Sequence, residues 1–356
     1  MLQSLQNVGL SLIEDSLLIV LTKRIFQSLL FYFYLCIHYQ KALFMIIVTG
    51  GAGFIGSNIV RDLNIKGHTD IIIVDNFGQS QKYLNLNRLK FADYIDKSEL
   101  LGKLHQLGEI TAVFHQGACS ATTELDANYL MQNNYDYSKQ LLHYCLDKKV
   151  PFIYASSASV YGNGDQGFRE EPACEYPLNG YAFSKCLFDN YVRQNVDFND
   201  PTSQVVGLRY FNVFGYQENH KGSMASVPFH FFNQAQEKGE ISVFEGSENF
   251  VRDFIFVDDV VKVVRYFFET GISGIFNCGT GQERSFMDMA NIFVSLSNNC
   301  QINTVPFPEH LKGKYQAYTK SDISKLRAVG FKNSFLSLEE GMAAYFNALN
   351  KTKGLF

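Results

Sequence analysis

The 356-residue chain predicts an α/β fold, a doubly wound parallel sheet carrying a smaller α/β lobe. Three observations carry that expectation. Short β-rich apolar runs alternate with helical periodicity from Met45 onward, the pattern of βαβ units and a parallel sheet. A run of glycines follows the first apolar run directly, and a carboxylate, Asp75, ends the second.

In order, "MIIVTG" reads as a strand from Met45, and Phe54 to Lys66 as a helix. "DIIIVD" (Asp70–Asp75) is the second strand and "TAVFHQGA" (Thr111–Ala118) holds the third. Leu130, Tyr137, Leu141 and Cys145 give helical periodicity to Glu124–Lys148. "PFIYASS" (Pro151–Ser157) is a fourth strand, Gly180–Gln194 a helix, and "QVVGLRYFNVFG" (Gln204–Gly215) one further strand. After Gly215 the alternation weakens. The expected division is therefore a cofactor-binding domain over 45–211, with segments at about 252–280 returning to it, and a substrate lobe over 212–251 and 281–356.

Residues 1–44 are expected to stand outside the fold. "SLLFYFYLCI" falls short of the roughly 18 apolar residues that span a bilayer. It lacks the basic start and small-residue cleavage site of a signal peptide. Only Lys23, Arg24 and Lys41 are basic, too few for an amphipathic surface anchor, which is the alternative reading. The functional chain is expected to open at Met45.

Composition excludes other classes. A net charge of −4 without a long run of one sign leaves no electrostatic footprint for nucleic acid. The seven cysteines are scattered, odd in number and without a C-x-x-C pair, which fits free thiols in a reducing cytoplasm. His220 and His230 have no carboxylate or thiol spaced to complete a metal site, so no metal is expected.

"TGGAGFIG" has the glycines of a Rossmann-type nucleotide site at Gly50, Gly53 and Gly56. The first turns the chain out of the strand, the second admits a pyrophosphate, and the third lets the helix pack against the sheet. A second glycine pattern, "GNGDQG" (Gly162, Gly164, Gly167), is a decoy, because Pro172 and Pro177 follow it and no helix starts there. Asp75 stands where a ribose-binding carboxylate belongs and favours NAD, whereas Lys82 and Arg88 leave NADP open.

"YAFSK" sets Tyr181 and Lys185 one helical turn apart, and Ser157 ends the preceding strand. A lysine ammonium beside a phenol favours the phenolate, and a Ser–Tyr–Lys group beside a nicotinamide moves hydride to or from a carbinol. The bland alternative for Tyr181 is a packed helix tyrosine. A second Y-x-x-x-K, Tyr135 to Lys139, has no serine-bearing strand before it and reads as structural.

Together "TGGAGFIG", "HQGA", "SSASVYG", "YAFSK" and "RYFNVFG" resemble the extended short-chain dehydrogenase/reductase family, from Met45 to about Leu349. "GACSATTE", "NNYDYSK", "HKGSMASV", "FEGSENFVRDF" and "LKGKYQA" are similar to the branch that epimerises ADP-heptose at C6, between the D-glycero and L-glycero forms, for the lipopolysaccharide inner core. The resemblance implies tightly held NADP, with NAD the alternative. Its contacts would be Phe54, Ile55, Asp75, Asn76, Lys82, Lys97, the stretch Gln116, Gly117, Ala118, Cys119 and Ser120, then Asn133, Lys185 and Val213. It implies substrate contacts from Asn212, Ser223, His230, Phe244, Glu245, Gly246, Ser247, Arg252 and Tyr315. It makes Lys221 a second acid/base opposite Tyr181, also touching the cofactor, and implies a homo-oligomer, commonly a pentamer. Arg252 reads as a phosphate ligand, or else as a surface ion pair with Asp253 or Glu248.

Two stretches depart from that branch: Gly215-Tyr216-Gln217, where G-P-R is common, and "GQSQK" around Gln79. Rival readings are a nucleotide-sugar 4-epimerase, which does not call for "HKGSMAS", and a 4,6-dehydratase. The dehydratase needs a carboxylic acid pair after the strand serine, where Ala158 and Ser159 stand. A non-catalytic nucleotide-binding scaffold would tend to lose the tyrosine or the lysine, and both are present.

Overall fold

The computed structural model describes residues 44–78, 80–200, 202–297, 299–309 and 316–356. The expectations placed on residues 1–43, Gln79 and Tyr315 lie outside them.

The chain runs β1 (Phe44–Thr49), α1 (Phe54–Ile65), β2 (Ile71–Asp75), a 3-10 turn (Lys82–Leu86), β3 (Asp93–Asp96), α2 (Lys97–Lys103) and β4 (Glu109–His115). Next come α3 (Ala127–Leu130), a π-helical stretch (Met131–Asp136), α4 (Tyr137–Lys148), β5 (Phe152–Ser157), α5 (Gly180–Asn195), β6 (Val205–Tyr210) and β7 (Asn212–Phe214). After a 3-10 loop (Asn219–Met224) follow α6 (Val227–Lys238), β8 (Glu240–Phe244), β9 (Val251–Phe256), α7 (Val257–Thr270) and β10 (Gly274–Cys278). β11 (Glu283–Ser285), α8 (Phe286–Leu296), β12 (Gln301–Val305), α9 (Ser324–Ala328) and α10 (Leu338–Thr352) complete it.

Seven parallel strands form the main sheet in the order β10-β6-β5-β4-β1-β2-β3. Alternate residues of each strand face opposite layers, as a period of two requires. Ile46, Val48, Ile71 and Ile73 pack with Ile59 and Leu63 of α1 and Val260, Val264 and Phe267 of α7. Ile47, Ile72 and Val113 face the other way, onto Leu141, Leu142, Phe188 and Val192 of α4 and α5. Each such side chain contributes about 1.5–3 kcal/mol by leaving water. A third core, around Phe214, Phe231, Ile241, Phe254, Met289, Phe293 and Met342, fills the smaller lobe. Its sheets are β11-β9-β7 and β12-β8.

Three elements differ from expectation. β3 is an edge strand of four residues, "DYID", too short and polar to register as an apolar run. The helix read over Glu124–Lys148 starts at Ala127, where Asp126 caps the Tyr129 N–H at 3.0 Å, and is interrupted by the π stretch. The single strand read over Gln204–Gly215 is two. β6 lies in the main sheet, the Phe211 N–H bonds the Cys278 carbonyl at 3.1 Å, and β7 then pairs with β9. β6 is buried at every position, whereas β7 begins on the exposed Asn212, and periodicity does not reveal which partner a strand takes.

Candidate active site

The strand order reverses between β1 and β4, and a crevice opens beyond the carboxyl ends of strands at such a switch point. A cleft of 660 Å³ lies there. The loops after β1 and β4 meet so closely that a Cβ on Gly50 would stand 2.7 Å from the Gly117 nitrogen. Gly50 has φ +65°, and a Cβ on Gly56 would meet the Gly50 carbonyl at 2.1 Å, so neither position admits a side chain. No side chain caps the start of α1, leaving the helix N-terminus to an anion. Lys82, Lys97, Lys185 and Lys221 line the cleft against a single carboxylate, Asp75. This backbone cradle and cationic wall fit a dinucleotide.

Every residue the sequence nominated for the cofactor lines this cleft: Gly50, Gly53, Phe54, Ile55, Gly56, Asp75, Asn76, Lys82, Lys97, Gln116 to Ser120, Asn133, Lys185, Val213 and Lys221. Asp75 is buried, and Oδ2 accepts the Ala52 N–H of the glycine loop at 3.0 Å. Oδ1 accepts the Asn76 N–H at 2.7 Å and pairs with the Lys82 ammonium. Both oxygens are engaged, and a cation stands against the carboxylate. Arg88 is exposed and does not line the cleft.

Ser157, Tyr181 and Lys185 share one wall. The Ser157 hydroxyl accepts from Ser159 N at 3.2 Å and Ser159 Oγ at 2.9 Å, which leaves its own proton for the Tyr181 oxygen. Burial raises the Tyr181 phenol above its ordinary range, and the Ser157 bond pulls against that. The Lys185 ammonium donates to the Ala155 carbonyl at 2.8 Å. Burial pushes it down to about 8, opposed by the Asp189 carboxylate below it. Asp189 in turn accepts from Tyr154 Oη (3.0 Å), Ser156 Oγ (2.8 Å) and Arg209 Nε (2.9 Å).

Lys221 lines the same cleft from another part of the chain, the loop before α6. Its ammonium lies 5.0 Å over the Phe54 ring, burial lowers its pKa, and Glu218 pulls that pKa back up. His220 beside it contacts Asn85 at 3.3 Å. Burial, with Lys82 and Lys221, pushes the imidazole down to about 4, so it is neutral near pH 7.

The nominated substrate residues that are described do not line this cleft. Asn212 is exposed at the start of β7, between the lining residues Phe211 and Val213, and Ser223 is exposed on the Lys221 loop. His230 is half-buried on α6. Phe244, Glu245, Gly246 and Ser247 form the turn that ends β8, where Gly246 takes φ +81°. Arg252 is not the surface residue that its ion-pair alternative assumed. It is buried, bonds the Val251 carbonyl at 2.9 Å and the Gln316 carbonyl, and stacks 5.6 Å from Phe286. Asp253 is engaged by Thr280, Gly281 and Ser321. In the second Y-x-x-x-K, Lys139 packs over Tyr135 and Tyr191 away from the cleft.

Sequence reasoning missed several wall residues, among them Thr49, Tyr129, Tyr137, Tyr210 and His220. It also missed two buried carboxamides. Asn134, inside the π stretch, accepts the Cys119 N–H (2.8 Å) and donates to the Cys119 carbonyl (3.0 Å) and Ser184 Oγ (3.1 Å). π turns concentrate at functional sites, and the doubled asparagine "NN" was the available signal. Asn85 holds the Ala52 carbonyl at 2.9 Å and the Gln217 carbonyl at 3.0 Å. Beneath the loops, Gly117 N–H donates to Thr49 Oγ1 (3.1 Å), which meets His115 Nδ1 (2.6 Å), and His115 Nε2 meets Ser138 (2.8 Å). Ser138 gives its proton to the Asn134 carbonyl at 2.6 Å, so His115 Nε2 must be the donor and Nδ1 the acceptor.

Among the described residues no cluster of His, Cys, Asp and Glu is placed to hold a metal, and no helix is long and apolar enough to cross a membrane. Residues 46–279 match the model of the NAD dependent epimerase/dehydratase family. The chain is 54% identical over 315 residues, 87% of its length and 99% of the relative's, to an ADP-L-glycero-D-manno-heptose-6-epimerase of Brachyspira hyodysenteriae. The crystal structure of the Helicobacter pylori protein of that name superposes with a TM-score of 0.78 at 28% identity, covering 87% of this chain and 97% of that one. A Thermotoga maritima UDP-glucose 4-epimerase with UDP-glucose follows at 0.72 and 26%, covering 87% and 99%. The chain belongs to the NAD dependent epimerase/dehydratase family, in its ADP-L-glycero-D-manno-heptose-6-epimerase branch.

Proposed function

We propose that this protein inverts C6 of an ADP-linked manno-heptose, interconverting its D-glycero and L-glycero forms for the lipopolysaccharide inner core. The observation that carries the reading is that one cleft is lined by two sets of groups able to handle a proton: Tyr181 with Ser157, and Lys221 from a separate loop. A single such group suffices to oxidise or reduce. Inversion benefits from one on each face.

In the first half, Tyr181 takes the proton of the C6 hydroxyl while Ser157 bonds the same oxygen. The bound dinucleotide supplies the hydride acceptor, and later the hydride donor. The resulting ketone turns about the neighbouring bond and presents its other face. Lys221 then protonates the new alkoxide oxygen, Lys185 keeps positive charge near the phenolate, and the cycle closes as Tyr181 releases its proton to solvent and Lys221 takes one up. No net redox change results, so no external reductant is consumed. The nucleotide would be held by the glycine loop, Asp75, Asn76 and the Gln116–Ser120 stretch. The heptose and its phosphates would be held by Asn212, Ser223, His230, the Phe244–Ser247 turn and Arg252.

NADP is the proposed cofactor rather than NAD. Lys82 offsets Asp75 and presents an ammonium to a 2′-phosphate. Residues 45–211 and about 252–280 serve as the cofactor domain, and 212–251 with 281–356 as the substrate lobe. A cytoplasmic homo-oligomer, a pentamer, completes the proposal. The free cysteines among the described residues accord with a reducing compartment.

Purified protein is expected to convert one ADP-heptose epimer into an equilibrium mixture without added reductant, followed by NMR at C6. An unchanged epimer, with cofactor bound, rejects the reading. Mass spectrometry of the nucleotide released on denaturation distinguishes NADP from NAD.

A further inference from the structure

The loop that carries Lys221 is held at its base by the end of the chain. Gln217, in a left-handed conformation at φ +72°, donates its N–H to the Gly354 carbonyl at 2.8 Å. Asn219 Nδ2 donates to the Lys353 carbonyl at 2.6 Å. Between them Glu218 is fully buried. Its carboxylate accepts the Ser226 N–H at 2.6 Å, the Ser226 hydroxyl, and the Tyr345 hydroxyl of α10 at 2.9 Å. Glu218 therefore ties the start of the loop to its end, and Lys221 projects from the span between. Gly222 supplies the sharp bend after Lys221, at φ +54° with open space where a side chain would go.

We infer that Glu218 is the positioning residue for Lys221: its carboxylate closes the loop on Ser226 and so fixes the span from which the Lys221 ammonium reaches the cleft. This rests on Lys221 being the second acid/base. Beside that geometry, burial lowers the pKa of Lys221 and the negative charge of Glu218 acts against it. The other groups facing the pair are few. α1 offers Lys221 the uncharged Phe54 ring. His220, neutral near pH 7, stands beside it and itself feels Lys82 and Asp75. α10 offers Glu218 the Tyr345 phenol, which the burial and the anion keep protonated. A carboxamide at position 218 would fill the same space, lose the charge and lose an acceptor for the Ser226 N–H.

The test is steady-state kinetics over pH on the full-length, cofactor-loaded Glu218→Gln protein. Turnover should fall on the order of 10²-fold, as a small misplacement of a reacting group does, with little change in substrate KM. The high-pH limb of kcat should move to lower pH, because removing the nearby negative charge lets Lys221 give up its proton sooner. Glu218→Asp should restore the limb in part. Ser226→Ala, which keeps the charge, should lower turnover less and leave the limb in place. Wild-type turnover in Glu218→Gln, or a lower Tm with turnover per folded molecule and limb unchanged, overturns the inference. If Glu218→Gln does not fold, Ser226→Ala and Tyr345→Phe decide: reduced turnover in both supports the clasp, and wild-type turnover in both overturns it. Lys221→Met separates the two levels. If it retains activity, the acid/base reading fails. If it is inactive while Glu218→Gln is normal, only the present inference fails. Adding Glu218→Gln to Lys221→Met should cost no further activity.

Discussion

The two walls of the cleft are built by different physics. Ser157, Tyr181 and Lys185 sit on a central strand and the helix packed on it, over a buried array of Asp189, Arg209, Tyr154 and Glu175. Lys221 sits on an irregular loop with exposed neighbours, Gly222 and Ser223, and its placement depends on side-chain bonds to a distant helix. Repeating backbone hydrogen bonds fix the first wall before any side chain acts. The second wall is only as fixed as its clasps. Hydride chemistry needs one wall held rigidly against the cofactor, whereas presenting a ketone by either face needs room to turn at the other.

The comparison can be broken at either wall. Tyr181→Phe should have the largest effect, a loss of roughly 10²–10⁴-fold in kcat with cofactor still bound, because the phenol handles the proton directly. Retained conversion would remove Tyr181 from the mechanism. Asp189→Asn tests the rigid wall. Arg209 and Asp189 are both fully buried, and removing one charge should destabilise by about 3–5 kcal/mol in urea unfolding. A loss below about 1 kcal/mol would mean the array does not brace α5.

On the loop side, Lys221→Met should lower turnover on the order of 10²-fold while thermal stability stays near wild type, since the loop adds little core. Equal losses of stability and activity would show that the two walls are not distinct.

Smaller effects sharpen the contrast. Lys185 is charged and buried, with a pKa depressed to about 8. At pH 7 both folded and unfolded chains hold that proton, and the folded state bears the full burial penalty. Between pH 8 and the unfolded value near 10.5 the folded chain sheds the proton first, and the penalty fades. Lys185→Met should therefore be inactive yet about 2 kcal/mol more stable than the cofactor-free wild type near pH 7, an advantage that disappears at high pH. His115 shows the converse in acid. Burial holds it at about 3, so from pH 6.5 downward only the unfolded chain takes up the proton. Stability should fall by roughly 1 kcal/mol between pH 7 and 5.5, and His115→Asn should flatten that slope.

Much of the rigid wall was legible. Gly56 is constrained by Gly50 six residues before it, Asp75 by its strand end, and Tyr181 and Lys185 by one turn of helix. Short-range spacing encodes all of these. Asn134, Asn85 and Glu218 were not legible, because their partners Cys119, Gln217 and Tyr345 lie 15 to 132 residues away and any soluble chain has many asparagines and glutamates. The strand read as continuous through Phe211 failed for the same reason.

By itself the sequence determined the doubly wound sheet, the nucleotide end of the cleft and the Ser–Tyr–Lys group, since hydrophobic period, glycine spacing and helical pitch are local properties. Only the tertiary structure decided where the sheet reverses, that Lys82 neutralises Asp75, and that the chain's last helix clasps the Lys221 loop. Those are contacts between segments distant in sequence, fixed by burial of the whole core rather than by any stretch within it.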